Sequence, residues 1–453
     1  MKNTKIQPLP FIEGWLHGLN PFRFFTNITD WCKVHVDGLN QGFLLILSSF
    51  LHFWRLTIPP KLVFDEIYFP VFANNYLTRT PFFDAHPPLG KYIIALGIRI
   101  FGFNPLGYRV MDAIFGVAVV ILIYRLGCLL FKDRRIGFLA GLFASLDGLL
   151  LVESRAGLIN IFAVFFSLAA YYLFLKYGEE NLRRSRWLYL FGAGVCIGSA
   201  AAVKWIGVAS FGVIVVTYVY FKLLPKWPQL TRWPEQISFH KRLNKLHPST
   251  FVLACLVLPL VVYSASFIIH LNQNPQFDFW ELHRQMFGFH AHSRETHHYA
   301  SRWWSWPVLM RPVSYFWEVD EKTQIASTIL NLGNPFIWWF SIPAIFYGLW
   351  RALFRREFGV QFGLLAYMAH YLPFIVIKRS TYLYHYMGAL PFAIILLAFV
   401  TVKLWSKEGV AREVAALTVL LIVLAAVYFF PIWTALPIPR GAFYQRMWFV
   451  SWI

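Results

Sequence analysis

The chain has 453 residues, 58% of them hydrophobic and only 14% charged, with a mean hydropathy of +0.52. Soluble domains carry about 25% charged residues, so this composition excludes a soluble fold, disorder, collagen-like repeats and coiled coil, and it points to a polytopic membrane protein. In such a protein the formal charge of +19 concerns orientation in the bilayer, and no nucleic-acid partner is expected.

A spanning helix needs about 20 mostly apolar residues. In chain order the apolar runs are 42–56, 108–131, 136–151, 159–175, 187–203, 206–224, 251–269, 335–350, 358–377, 387–402 and 414–430, which gives about eleven spans. The first lacks a compact basic flank and a small-residue cleavage site, so it is read as an anchor rather than a removed signal peptide. Residues 1–41 precede it as a cytoplasmic or interfacial segment, 42–270 carry spans one to seven, 335–431 carry spans eight to eleven, and 432–453 form a tail. With a cytoplasmic N-terminus, every short loop on that side is basic: Lys132/Arg134/Arg135, Arg183/Arg184/Arg186, the stretch from Lys222 to Lys245, Arg351/Arg355/Arg356 and Lys403/Lys407/Arg412. That is the pattern of cytoplasmic loops in a cell membrane. The cysteines Cys32, Cys128, Cys196 and Cys255 are far apart and form no disulfide framework.

Two long segments, 57–107 and 271–334, then face outward, the second with interfacial helices. Long loops rich in His, aromatic and charged residues are usually functional. In the first, Asp65 and Glu66 lie at the headgroup level, where acids default to function. Neighbours on a helix point about 100° apart, so one of the two is expected to face a reaction and the other a partner. Pro87 and Pro88 exclude an ordinary helix and hold Asp84, His86 and Lys91 in a turn. Arg109 is placed either in an i,i+3 ion pair with Asp112 or against an anionic headgroup. Glu153 and Arg155 are read as a pair with each other, and Lys204-Trp205 as an interfacial anchor. The second loop holds His283, His290, His292, His297 and His298, whose spacing matches no metal-ligand motif. Near the tenth span, Lys378, Arg379, Tyr382, Tyr384, His385 and Tyr386 interleave cations with phenols, which suits a phosphate and a sugar.

The ordered set "FDE", "FFDAHPPLGK", "YRVMDAIFG", "LDGLLLVESRAGLI", "GSAAAVKWIG", "RQMFGFHAHSRETHHYASRWWSWPVLMRP" and "YLYHYMGALPF" resembles bacterial members of the protein O-mannosyltransferase family, the polyprenyl (dolichyl)-phosphate-mannose–protein mannosyltransferases. The resemblance implies an all-α membrane protein of GT-C glycosyltransferase fold with an outward-facing active site. It implies a lipid-linked donor, polyprenyl-phosphate-mannose, and an exported Ser/Thr-containing polypeptide as acceptor. It gives Asp65 the role of catalytic base with Glu66 beside it, and makes Arg109 functionally required. The second outer loop is too short for the β-trefoil insertion of eukaryotic members, and Asn160 stands where the family often has an acid.

The chemistry agrees with that implication. A neutral hydroxyl needs a carboxylate to take its proton, while a leaving phosphate needs positive charge. Arg109, Lys91, His86, Arg379, Tyr384 and His385 are therefore the expected donor-binding groups. Asp84, Arg302, Glu153 and Arg155 are placed at the acceptor or behind these groups. No protein metal site is expected; dependence on a divalent cation and the oligomeric state are left open. The rival readings are a related lipid-phosphate sugar transferase with another sugar or a lipid acceptor, and, more distantly, a transporter.

Overall fold

The computed structural model describes residues 21–180, 182–223, 237–292 and 297–453. The first half of the N-terminal segment, the centre of the basic stretch between Lys222 and Lys245, and four residues of the His-rich loop lie outside the described residues.

Helix α1 (Pro21–Phe53) contains the first apolar run as its C-terminal part. A 3₁₀ turn (Phe64–Ile67), α2 (Phe69–Thr78) and α3 (Leu89–Phe101) build the first long segment. Helix α4 (Pro105–Phe131) starts where the Asn104 side chain accepts from Gly107 N and Pro105 supplies the first turn. The run 136–151, expected as one span, is broken. Helix α5 (Arg134–Ser145) stops, and Asp147 starts the short α6 (Gly148–Glu153) by accepting from Leu150 N. The same buried carboxylate accepts from Asn334 N at 3.1 Å and Trp338 Nε1 at 2.7 Å, so it knots this break to a distant part of the chain.

Helices α7 (Asn160–Glu179) and α8 (Arg183–Val203) pack side by side. After the Lys204 turn come α9 (Val208–Leu223) and α10 (Ile237–Lys245). Then α11 (Pro248–Val252) passes through a π-turn (Leu253–Val257) into α12 (Leu258–Gln273). Helix α13 (Phe279–His292) leaves Trp280, Phe287 and Phe289 exposed. Helices α14 (Pro335–Phe354), α15 (Phe358–Tyr371), α16 (Leu390–Trp405) and α17 (Val410–Trp433) complete the bundle. Among the described residues, eight helical stretches are long and apolar enough to cross a membrane, and Leu390–Trp405 is a shorter apolar helix.

A small antiparallel sheet departs from the all-α expectation. Strand β1 (Val313–Asp320) pairs with β2 (Ile325–Asn331), and β2 with β3 (Ile438–Pro439). The β-branched and aromatic content of "VSYFWEVD" and "IASTILN" favours strands, a signal the helical reading passed over. The register slips between Ser314 and Phe316. Such a bulge leaves its extra residue outside the ladder and re-aims its side chain; here that residue is Tyr315. Helix α18 (Arg440–Gln445) follows β3, so the tail packs onto the sheet.

Candidate active site

The first outer segment turns at Phe64, whose φ of +47° is a conformation bulky residues rarely adopt. The turn sends the two acids apart. Glu66 is fully buried and accepts four bonds: from Arg109 Nε at 2.7 Å, Arg109 Nη2 at 2.8 Å, Val63 N at 2.9 Å and Gly157 N at 2.8 Å. The remaining Arg109 donors reach the carbonyls of Leu56, Pro59 and Lys61. Arg109 is 1% exposed with its guanidinium saturated by protein acceptors, and its ion pair is with Glu66 rather than with Asp112. Asp112 instead accepts from Leu158 N.

Lys91 is also corrected. Its ammonium is buried against the Asp84 carboxylate and the carbonyls of His86 and Pro87, the latter two at 2.7 and 3.1 Å. Three donors are matched by three acceptors, so Lys91 and Asp84 lock the proline turn and leave nothing for a phosphate. Glu153 and Arg155 do not pair with each other. Arg155 caps the end of α1 through the carbonyls of Leu51 and His52 at 2.7 and 2.9 Å, a favourable placement of a cation at a helix C-terminus. Arg302 lies exposed on the strand-like approach to a 3₁₀ turn. Its neighbour Ser301 is tied to Thr381 by two bonds, Ser301 N to Thr381 O and Thr381 Oγ1 to Ser301 O.

A cavity of about 510 Å³ opens at this end of the bundle, and two of its lining residues, Lys204 and Tyr384, act electrostatically on or with Asp65. Its lining includes polar and cationic groups from the loops: His86, Lys204, Trp205, His290, Lys378, Arg379, Tyr384 and His385. The helices add Ala163, Val164, Leu168, Phe374, Met387 and Phe392, an apolar part of the lining interrupted by Ser167 and His370. Arg379 stands there with no hydrogen-bonded protein partner among the described residues. Burial lowers its pKa, with the neighbouring phenols of Tyr384 and Tyr382 opposing. Burial holds His86 and His385 well below the usual imidazole value, with Lys204 the next cause. These rings are therefore neutral hydrogen-bonding groups rather than cations. His385 uses Nδ1 to accept from Tyr382 N at 3.1 Å.

Lys204, read from the sequence as an anchor, is instead the cation nearest in effect to Asp65. Its Nζ donates to Asn160 Oδ1 at 2.9 Å and lies 5.9 Å from the centre of the Tyr384 ring. Burial, and then the Arg379 charge, bring it down to about 8. The Asp65 carboxylate is half-buried and has no hydrogen-bond or ion-pair partner among the described residues. Burial pushes it up to about 6, against the pull of Lys204. A carboxyl left unpaired, with a value near neutrality, is suited to taking a proton. The signal that could have found Lys204 is its place in a turn between two apolar helices, where a burial-prone Lys needs an acid nearby.

Behind Lys204, Asn160 Nδ2 donates to Glu153 Oε2 at 2.9 Å. Glu153 is fully buried and also accepts from Asn331 Nδ2 at 2.8 Å and from the Tyr315 hydroxyl. Burial raises Glu153 to about 7. The five loop histidines disperse: His283 faces Tyr263, His290 reaches Ala85 O, His292 returns to its own helix, and His297 stacks on His298. No group of three His, Cys, Asp or Glu converges as a metal site among the described residues.

This architecture has known counterparts. The family model for dolichyl-phosphate-mannose-protein mannosyltransferase matches residues 42–108 and 104–273, and that for the C-terminal four-transmembrane region of protein-O-mannosyltransferase matches 276–452. The polyprenol-phosphate-mannose–protein mannosyltransferase of Corynebacterium glutamicum is 29% identical over 426 residues, covering 81% of each chain. That of Mycolicibacterium smegmatis is 26% identical over 483 residues, 90% of this chain and 91% of its own. Among solved structures, the S. cerevisiae protein O-mannosyltransferase Pmt1-Pmt2 complex bound to the sugar donor superposes with a TM-score of 0.76 at 16% identity, covering 92% of each chain. ArnT from Cupriavidus metallidurans bound to undecaprenyl phosphate gives 0.54 at 15% identity, over 89% of this chain and 75% of its own. The structural likenesses give the fold, that of GT-C glycosyltransferases, and the family models, spanning nearly the whole membrane bundle and its loops, establish that the chain belongs to the protein O-mannosyltransferase family.

Proposed function

We propose that this membrane enzyme transfers mannose from polyprenyl-phosphate-mannose to Ser or Thr hydroxyls of exported polypeptides, at the outer face of a bacterial cell membrane with the N-terminus cytoplasmic. The observation that carries the reading is a cavity lined both by loop cations and by apolar helix residues, whose Lys204 also acts on the unpartnered Asp65. An amphiphile with a phosphate head and an isoprenoid tail fits that division. Lys204 and Arg379 face the phosphate, and Val164, Leu168 and Phe392 face the tail. Tyr384 and His385 offer ring faces and hydrogen bonds to the sugar.

In the reaction the acceptor oxygen attacks the anomeric carbon while the bond from that carbon to the phosphate oxygen breaks. The hydroxyl proton passes to the Asp65 carboxylate, and the polyprenyl phosphate leaves with the bonding pair, its charge compensated by Lys204 and Arg379. A single displacement with one base inverts the anomeric centre. Glu66 acts here through Arg109, as the fixed floor of the loop that presents Asp65. Because two protein cations supply the compensating charge, the reading assigns no step to a divalent ion. The bonded Asp84–Lys91 pair and Arg155 hold the backbone around the site, and the exposed Arg302, beside the Ser301–Thr381 tie, is the group assigned to a polypeptide acceptor.

The test is purified protein with polyprenyl-phosphate-mannose and a Ser/Thr peptide. A mass gain of one hexose on the peptide supports the reading. Asp65→Asn should abolish it while leaving the protein folded, and normal turnover by that variant removes Asp65 from the base role. Transfer only to a lipid, or only of another sugar, would move the enzyme to the related class of lipid-phosphate sugar transferases.

A further inference from the structure

The contacts around Asp65 close into a ring. From Lys204, the Asn160 amide leads to Glu153, and Glu153 to the Tyr315 hydroxyl. The Tyr315 ring then stacks on Phe64, the residue before Asp65, with centroids 4.0 Å apart and planes 10° from parallel. Phe64 in turn meets Tyr384 edge-on at 6.0 Å, and Tyr384 lies against the Lys204 ammonium. The base and its cation are thus held by one circuit, whose far side is the β-bulge that turns Tyr315 inward.

We propose that Tyr315 and Glu153 are positioning residues that fix the base: Tyr315 clamps Phe64 in its left-handed turn beside Asp65, and Glu153, through Asn160, holds the Lys204 ammonium facing Asp65. The inference rests on the mannosyl-transfer reading for its kinetic arm only. Glu153 Oε2 accepts from Asn160 Nδ2, which leaves the Asn160 carbonyl to accept from Lys204. Asn331 donates to both Glu153 and the Tyr315 oxygen, at 2.8 Å each, so the hairpin secures both ends of the clamp. The φ of +47° at Phe64 is disfavoured for an aromatic residue and persists only where neighbours enforce it; the stacked Tyr315 ring is such a neighbour.

Glu153→Gln keeps shape and volume but carries an NH₂ that lets the Asn160 amide reverse and present a donor to Lys204. In the full-length enzyme this variant should lower kcat by between about tenfold and a hundredfold, the range for a misplaced catalytic group. Tyr315→Phe keeps the stack and loses the hydroxyl bond, so it should show the same shifts in smaller measure, and it supplies the comparison if Glu153→Gln does not fold. Tyr315→Ala should be the slowest. Competitive acetylation of Lys204 against pH, read by mass spectrometry, is independent of turnover: its half-point should move down in Glu153→Gln, since a neighbouring negative charge is gone. A shifted labelling profile supports the circuit even where no mannose is transferred, an outcome that would sink the functional reading alone. Wild-type kcat and a wild-type Lys204 labelling profile in folded Glu153→Gln or Tyr315→Phe overturn the proposal.

Discussion

Arg109 and Glu66 meet in two parallel bonds of 2.7 and 2.8 Å, with the arginine 1% exposed and the carboxylate fully buried. The pair joins the start of α4 to the 3₁₀ turn that carries Asp65, and the other Arg109 donors bind three carbonyls of the segment between α1 and that turn. An arginine in this position acts as a fastener for the loop, since every one of its donors is engaged by the segment it holds.

Removing one partner leaves the other charge buried and uncompensated, which costs about 3–5 kcal/mol. Arg109→Ala and Glu66→Ala should therefore lower the melting temperature of the detergent-solubilised protein by several degrees and reduce the yield of folded enzyme. A folded Arg109→Ala protein with unchanged melting and a raised KM for donor alone would return Arg109 to the phosphate.

Asp65 must be ionised to accept a proton, and burial has raised its value to about 6. Below that value the group is protonated and cannot act as base. The rate should then fall about tenfold per pH unit as pH drops under 6, and flatten above it. Lys204→Met removes the charge that favours the carboxylate, so its acid limb should lie higher than wild type. A limb that does not move would separate Lys204 from Asp65.

Arg379 lines the cavity mouth without a protein hydrogen bond among the described residues, so its substitution strands no buried partner. A hydrogen bond to a charged group is worth about 1.5–3 kcal/mol. Arg379→Ala should raise the donor KM by about tenfold or more, with the acceptor KM and the melting temperature near wild type. Equal loss toward both substrates would count against a phosphate contact.

The apolar wall offers a steric test. Ala163 on α7 faces the cavity with Val164 and Leu168, and Ala163→Phe should fill part of the space proposed for the isoprenoid tail. Competition between donors of different tail length should show the long-chain donor losing more than a short, water-soluble one. An equal effect on both would place the tail elsewhere.

Membrane insertion, the two long loops and the acid pair at 65 and 66 were legible in the linear chain, because hydropathy and residue type are local properties. Apolar runs of sufficient length at eight of the eleven expected positions became helices long enough to span. The run 136–151 is divided between two helices because Asp147, an acid within an apolar stretch, finds Asn334 and Trp338 from far along the chain. The hairpin was passed over because its strands lie in a loop whose aromatic content also suits an interfacial helix. Which charges are free, however, is decided by partners that no local pattern reveals. Arg109, Lys91 and Arg379 are all cations near polar loops in the sequence, yet packing saturates the first two with carboxylates and carbonyls and leaves the third facing a cavity. A buried charge must be compensated, and only the tertiary structure says by what: for Lys204 it is Asn160, with Asp65 and Glu153 among the charges that act on it.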